Sequence, residues 1–229
     1  MGGGLMQLVA YGAQDIYLTG NPQITFFKVV YRRHTNFSME SIEQTINGSV
    51  GTSSRVTSTI SRNGDLVYRL YYEFDGTTVD PGGGAKVANP GAGIFDNVEI
   101  EIGGQRIDRQ TGQWMHVWAS LTEENSARVV SSSTGAGGTL FQELTAMGGT
   151  AAGQATADIN VKVPLQFWFC RNPGLALPLI ALQYHEVKVV TTFSALMPAD
   201  NTTKLWADYI YLDTDERRRF AQVSHEYLI

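Results

Sequence analysis

The residue types that carry catalysis in enzymes are scattered along this chain and do not stand at catalytic spacings. Gly91-Ala92-Gly93 begins like a dinucleotide-binding fingerprint, but Asp96 stands where that motif needs its third glycine. The sequence also lacks the lysine motif of a phosphate-binding loop and the G-x-S-x-G turn that would present a serine nucleophile. We therefore nominate no catalytic residue and no cofactor-binding residue, and expect a protein that is not an enzyme.

A single cysteine and four histidines remain as candidates for nucleophilic or metal chemistry. Cys170 lies in a predicted aromatic strand, where a buried, unreactive thiol is expected. The histidines stand in unrelated contexts without the H-x-H spacing of cupin-type metal sites, so we predict hydrogen-bonded structural side chains and no bound metal. They are His34, His116, His185 and His225.

Two short arginine clusters are the only concentrations of positive charge. One interpretation is local pairing, since Asp213, Asp215 and Glu216 immediately precede the second cluster and residues three or four apart on a helix can pair. The other is contact with a neighbouring subunit, because arginine forks suit interfaces. Both remain open. The candidate interface residues in these clusters are Arg32, Arg33, Arg217, Arg218 and Arg219.

Three asparagines, Asn36, Asn47 and Asn201, begin the pattern N-x-[ST]. Without a visible signal peptide these acceptors have no obvious route to the secretory glycosylation machinery, so chance matches are the default and glycan attachment stays open.

Length and charge limit the classes of protein to which the chain can belong. Its 229 residues suit one large β-domain. A formal charge of −5 argues against a protein that neutralises nucleic-acid phosphates. No apolar run reaches the roughly 18 residues needed to span a bilayer, and one cysteine excludes an intrachain disulfide framework.

Alternation of apolar and polar residues predicts about eight strands joined by turns and long loops. Asn63-Gly64 and Gly103-Gly104 are the clearest turn signals. This pattern favours an all-β, antiparallel sandwich, and eight strands favour a jelly roll. The predicted strands lie within Asn36–Ile46, Arg55–Ile60, Leu66–Phe74, Val98–Ile102, Gln105–Arg109, Ile159–Cys170 (broken or edged by Pro164), Glu186–Phe193 and Leu205–Leu212.

Two or three short helices accompany the strands. Asn21-Pro22 would start one that ends near Arg33, although a strand is the rival there. Trp114, Val117, Trp118 and Leu121 recur at i, i+3, i+4 and i+7, which predicts an amphipathic helix packed on a sheet, with a sugar-binding platform as the alternative for the tryptophans. Asp213 and Glu216 resemble a capping box and predict a helix over Thr214–Gln222.

Glycine-rich composition predicts two long surface loops, at Gly76–Gly93 and at Ser131–Ala157.

Five collinear stretches together resemble one known family. They are Leu8–Ile46, Ser61–Leu66 (SRNGDL), Val98–Asp108 (VEIEIGGQRID), Pro173–Val189 (PGLALPLIALQYHEVKV) and Trp206–Ile229. The chain resembles the major capsid proteins of nucleocytoplasmic large DNA viruses, most of all the chlorella-virus type.

The resemblance implies a structural protein of the virion. Family members are double jelly rolls, of which three copies form a pseudo-hexagonal capsomer in an icosahedral shell, assembled in the host cytoplasm. Residues 1–23 would be an inward arm that touches neighbouring or minor capsid proteins, with Tyr11, Asp15 and Tyr17 as further candidate interface residues. Residues 24–229 would be the first jelly roll. The family continues past His225–Ile229 into a second roll, and six single rolls would be needed where three double rolls suffice.

The resemblance also implies self-association, no direct contact with nucleic acid and no membrane span. Two other classes remain as alternatives: a carbohydrate-binding, lectin-like jelly roll and a cupin-like enzyme.

Overall fold

The computed structural model describes residues 36–78, 89–124, 138–149, 158–197, 199 and 202–227. The predicted arm at 1–23 and the predicted helix that starts at Asn21-Pro22 lie outside these ranges. Within them, no helix combines the length and apolar character that a bilayer span requires.

The described residues form two five-stranded antiparallel sheets. The first has the order β1-β10-β4-β7, with β8 paired to β4, and the second has the order β2-β3-β9-β5-β6. The strands are β1 (Phe37–Gln44), β2 (Ile46–Asn47), β3 (Arg55–Thr59), β4 (Leu66–Thr78), β5 (Phe95–Ile102), β6 (Gln105–Thr111), β7 (Asp158–Pro164), β8 (Leu177–Pro178), β9 (Val187–Phe193) and β10 (Lys204–Leu212).

The strand order confirms the predicted jelly roll. Two strands, β2 and β8, have only two residues each, which leaves the eight longer strands that were predicted. Numbered one to eight along the chain, these follow the orders 1-8-3-6 and 2-7-4-5 in the two sheets. That interleaving of two Greek keys is the jelly-roll arrangement.

The described ranges contain more helices than the two or three predicted. Helix α5 has the predicted bounds, and its N-cap Asp213 accepts a hydrogen bond from the Thr214 backbone N–H at 2.7 Å. The predicted strand over Ile159–Cys170 ends at Pro164, whose missing N–H cannot extend the ladder, and a helical turn follows. The helices are α1 (Pro90–Gly93), α2 (Gly112–Thr122), α3 (Leu140–Thr145), α4 (Trp168–Arg171) and α5 (Thr214–Gln222), with a 3₁₀ turn at Pro173–Leu175.

Parts of both predicted loops are regular structure. Strand β4 continues to Thr78, and α1 begins at Pro90. The prediction of a loop over the whole of Gly76–Gly93 was therefore wrong at both ends. Within the second predicted loop, Thr139 and Gln142 form a complete capping box at the start of α3. Met147 follows α3 into the core and is 1% exposed.

The core lies between the two sheets and centres on aromatic rings. Tyr72 and Phe74 of the first sheet pack on Phe95 and Phe193 of the second, with ring centroids 5.4–6.4 Å apart. The buried Tyr72 hydroxyl is 2.7 Å from the Thr191 hydroxyl, which satisfies both groups. Full burial of such side chains contributes about 1.5–3 kcal/mol each before entropy is subtracted.

A second apolar cluster lies on the outer face of the first sheet. Its buried members are Leu66, Tyr68, Ala176 and Ile210, and Phe220 of α5 packs against them. Helix α5 is therefore held on the sheet by this cluster, which fixes the position of the arginines that it carries.

Candidate assembly surfaces

Helix α2 packs on the domain through a face made of two small residues and one methionine. Thr111 caps the helix by accepting a hydrogen bond from the Trp114 backbone N–H at 3.2 Å. The buried face consists of Gly112, Met115 and Ala119. A Cβ added at Gly112 would lie 2.3 Å from the carbonyl oxygens of Ala92 and Phe95, so the helix start lies directly against that backbone.

Four further apolar residues of α2 lie on the other side of the helix, where three are exposed and Trp118 is half-buried. Leu121 is 77% exposed, Trp114 41% and Val117 39%, so the prediction that this face packs on a sheet was wrong. Two apolar sets recur along the same helix, and periodicity alone does not say which one is inside. The set with Gly112 and Ala119 is the buried one, since these small residues permit close backbone approach while Met115 enters the core. We call Trp114, Val117, Trp118 and Leu121 the apolar stripe.

A cleft of about 560 Å³ lies beside the apolar stripe, between it, α3 and strands of the first sheet. Trp118 lines one wall, while Phe141 and Leu144 line another. The Arg171 guanidinium carbon lies 4.3 Å from the centroid of the Trp118 ring, a cation–π contact that fixes this indole. Leu140 and Leu144 of α3 are themselves 71% and 48% exposed and extend the apolar surface across the cleft.

All three arginines on α5 are exposed, and one of them, Arg217, forms an ion pair within the domain. Arg217 Nε is 3.0 Å from Asp65 Oδ1, and the other Asp65 oxygen accepts from the Leu212 N–H at 2.8 Å. Arg217 thus pairs with a residue distant in sequence, whereas local pairing with the acids at the start of the helix had been one interpretation. Arg218 and Arg219 are exposed, and neither forms an ion pair within the part of the chain that the structure describes. Their proposed role at an interface stays a prediction.

Glu99 binds three arginines on the outer face of the second sheet, a cluster that sequence reasoning missed. Its carboxylate lies 3.0 Å from Arg106, 3.5 Å from Arg109 and 3.5 Å from Arg55. The Glu99 side chain is 9% exposed, while each arginine side chain is more than half exposed. Alternation along β5 indicated that Glu99 faces outward. Alternation does not give the pairing of neighbouring strands, which places three guanidiniums around the Glu99 carboxylate.

Several sequence-predicted site residues have defined places in the fold. Asn36 immediately precedes β1 and is half-buried, and Asn47 is exposed on β2. The remaining candidates, whether for interfaces or for glycans, lie outside the described residues: Tyr11, Asp15, Tyr17, Arg32, Arg33 and Asn201.

Among the described residues, Cys170 and the histidines His116, His185 and His225 form no common metal site, and His34 lies outside the described ranges. Burial raises the pKa of the Cys170 thiol to about 12, so the nucleophilic thiolate is suppressed at neutral pH. A ring nitrogen of His225 is 2.7 Å from the Phe220 carbonyl oxygen, as expected for a structural histidine. Nδ1 of His116, by contrast, is buried without a hydrogen-bond partner in the described structure. Over the same ranges, no three side chains of metal-ligating type come together.

Comparison with known proteins places this fold in a family. A family model described as the N-terminus of the major capsid protein matches residues 25–213. The major capsid protein of Pyramimonas orientalis virus is 55% identical over 100% of this chain and 58% of its own length. The corresponding protein of Paramecium bursaria Chlorella virus 1 is 47% identical over 100% of this chain and 52% of its own length.

Solved structures agree with these sequence matches. A chain from the quasi-atomic PBCV-1 virus capsid shares 42% identity with a TM-score of 0.70, over 89% of this chain and 49% of that one. The Faustovirus major capsid protein, at 13% identity and a TM-score of 0.52, supports the fold alone. The chain spans about half the length of the Paramecium bursaria Chlorella virus 1 protein and of the PBCV-1 capsid chain, at 52% and 49%, and 58% of the length of the Pyramimonas and Faustovirus proteins. The chain belongs to the family of major capsid proteins of large DNA viruses, and it corresponds to the N-terminal part of its members.

Proposed function

We propose that this chain is the first jelly roll of a capsid protein whose copies associate side by side and tile the shell of a virion. The observation that carries the proposal is the family match over residues 25–213, which includes every long strand of the jelly roll. Family membership points to a structural role rather than to catalysis. Binding energy in such a role comes from apolar and charged surface buried repeatedly between identical subunits.

The proposed capsomer has a pseudo-hexagonal outline made of six jelly rolls. It is a trimer where each chain carries two rolls, and six copies would be needed where each chain carries one. Residues 1–23 would act as an arm that contacts neighbouring or minor capsid proteins, and residues 24–229 would form one domain. The formal charge of −5 suits a shell component that makes no direct contact with nucleic acid. The proposed location is the virion capsid, with assembly in the host cytoplasm.

Electron microscopy of the concentrated chain tests this proposal. Rings of six rolls, trimers or ordered sheets are the expected result. Images that show only unassociated single chains at every concentration would contradict it.

The exposed arginines give a more specific test of assembly. Replacing Arg218 and Arg219 together by alanine should weaken association and leave the urea midpoint unchanged, because the described structure gives neither an ion pair to lose. Arg217→Ala is the matched control. It should lower the urea midpoint, since Asp65 loses a partner 3.0 Å away. If the double variant assembles like the unmodified chain, these two arginines are not interface residues.

Carbohydrate binding is the second candidate function, and the exposed indole of Trp114 favours it. Its neighbours in the apolar stripe, Val117 and Leu121, carry no hydrogen-bonding groups, whereas a sugar needs such groups beside the ring. A glycan array probed with the monomeric chain would show binding that Trp114→Ala abolishes if this function holds.

A further inference from the structure

Three of the four residues of the apolar stripe are exposed, which is the largest such set on one described helix. Trp114 and Trp118 have ring centroids 5.9 Å apart, so the two indoles continue one another along α2. Across the cleft, Leu140 and Leu144 of α3 add further exposed apolar surface. Together these side chains present on the order of several hundred Å², a size at which an exposed patch marks an interaction site.

Within the single chain, Trp118 is the one half-buried member of the stripe, and the other three are exposed. Leu121 is 77% exposed, and the contacts that hold α2 in place are made by Gly112, Met115 and Ala119 on its other face. The helix therefore has a complete packing face without the stripe. Three large apolar side chains, Trp114, Val117 and Leu121, stay more than a third exposed in the single chain, and such a patch suits burial against something else.

Charges of both signs surround the stripe. Glu123 and Glu124 follow the end of α2 and are exposed, and no cation pairs with either among the described residues. On the side of the cleft, the exposed guanidinium of Arg171 lies over Trp118. A face that carries an acidic end and a basic side can meet a second copy of itself, because each sign then finds its opposite.

We infer that the apolar stripe of α2, with the exposed leucines of α3, is buried against a neighbouring copy of this chain. The inference rests on the proposed shell function and specifies which surface makes the contact. A typical stable interface buries about 800 Å² on each partner. The stripe and α3 would provide its apolar centre, while Glu123, Glu124 and Arg171 would lie at its rim.

Leu121→Asp tests the inference, because its side chain can be changed without disturbing the packed face of α2. Tyr184→Asp is the matched control, since Tyr184 is an exposed aromatic residue, 94% accessible, outside the stripe. The native mass of each protein is measured by light scattering over a range of concentrations, and urea midpoints confirm folding. We expect the unmodified chain and the control to associate, and Leu121→Asp to remain monomeric at a concentration at least tenfold higher.

The outcomes separate this inference from the proposed function. If the unmodified chain and Leu121→Asp associate alike, the stripe is not the interface, although the shell function survives. If the unmodified chain is monomeric throughout, self-association itself fails and the inference falls with it. Acrylamide quenching of tryptophan fluorescence, compared with a Trp114→Phe variant, gives an independent reading. Trp114 should be accessible in the monomer and shielded on association, whereas an indole already shielded in the monomer would mean that the chain covers its own stripe.

Discussion

Gly112 determines how closely α2 can approach the domain, and Gly112→Ala should therefore destabilise the fold. The added Cβ would lie 2.3 Å from two carbonyl oxygens, whereas ordinary contacts at such positions begin near 3.4 Å. The start of the helix would have to move by roughly 1 Å to accommodate it, and overpacking of this kind costs about 1–3 kcal/mol. Alanine returns at most about 1 kcal/mol of helix propensity.

We expect a net loss of about 1–2 kcal/mol in the free energy of unfolding, which for a domain of this size lowers the Tm by about 2–8 °C. Urea denaturation followed by tryptophan fluorescence measures the loss. Gly51→Ala is the matched control, because its added Cβ would meet only Ala199, at 3.6 Å. This variant should be neutral or stabilising by up to about 1 kcal/mol, since alanine restricts the unfolded chain.

The reasoning is refuted if Gly112→Ala is as stable as the unmodified chain. Such a result would mean that α2 is not seated against the carbonyl groups of Ala92 and Phe95. The outward direction of the apolar stripe would then lose its structural basis.

Three further predictions concern buried polar groups. Glu99→Gln should lower the free energy of unfolding by about 1–2 kcal/mol at low salt, because three arginines lose their common carboxylate, and the loss should shrink in 1 M NaCl. Glu101→Gln is the control, since Glu101 lies on the same strand and forms no ion pair in the described structure. A loss that does not depend on salt would argue against the charge explanation. Tyr72→Phe and Thr191→Val should each lower the free energy of unfolding by about 1–3 kcal/mol, because each leaves one buried hydroxyl unpaired. The double variant should lose less than the sum of the two single losses. Simple additivity in urea titrations would contradict the 2.7 Å hydrogen bond. Burial raises the pKa of Cys170 from 9.0 to about 12. The neutral thiol therefore contributes fully to stability below pH 9, and this contribution is lost as the pH rises toward 12. Cys170→Ala should flatten the fall in urea midpoint between about pH 9 and 11, and an unchanged slope would count against the buried thiol.

The strands were largely predictable from the sequence because sheet faces impose a period of two. Core residues alternate along much of β5, β9 and β10, and tight turns such as Gly103-Gly104 join neighbouring strands. The bounds of helix α5 were predictable because Asp213 caps its start, although the described hydrogen bond comes from the Thr214 N–H and not from the predicted capping box with Glu216. Sheet order and register are not local properties, and the antiparallel sandwich became a jelly roll only through the count of strands and the family resemblance.

The assembly surfaces were less predictable, for a physical reason. A helix with two apolar faces, such as α2, does not reveal which one is inside until the close contact at Gly112 is known. The pairing of Arg217 with Asp65 and the three arginines around Glu99 depend on residues that are distant in sequence. Helix α3 did carry a readable signal, since Thr139 and Gln142 stand at capping-box spacing, but its glycine-rich surroundings favoured a loop.

Self-association is the central claim, and the native mass of the unmodified chain tests it most directly. Light scattering behind a sizing column should give a mass that rises with concentration to a defined multiple of the monomer, three or six copies. A mass that stays at one copy up to the highest attainable concentration would contradict the claim that this jelly roll carries a shell-building interface.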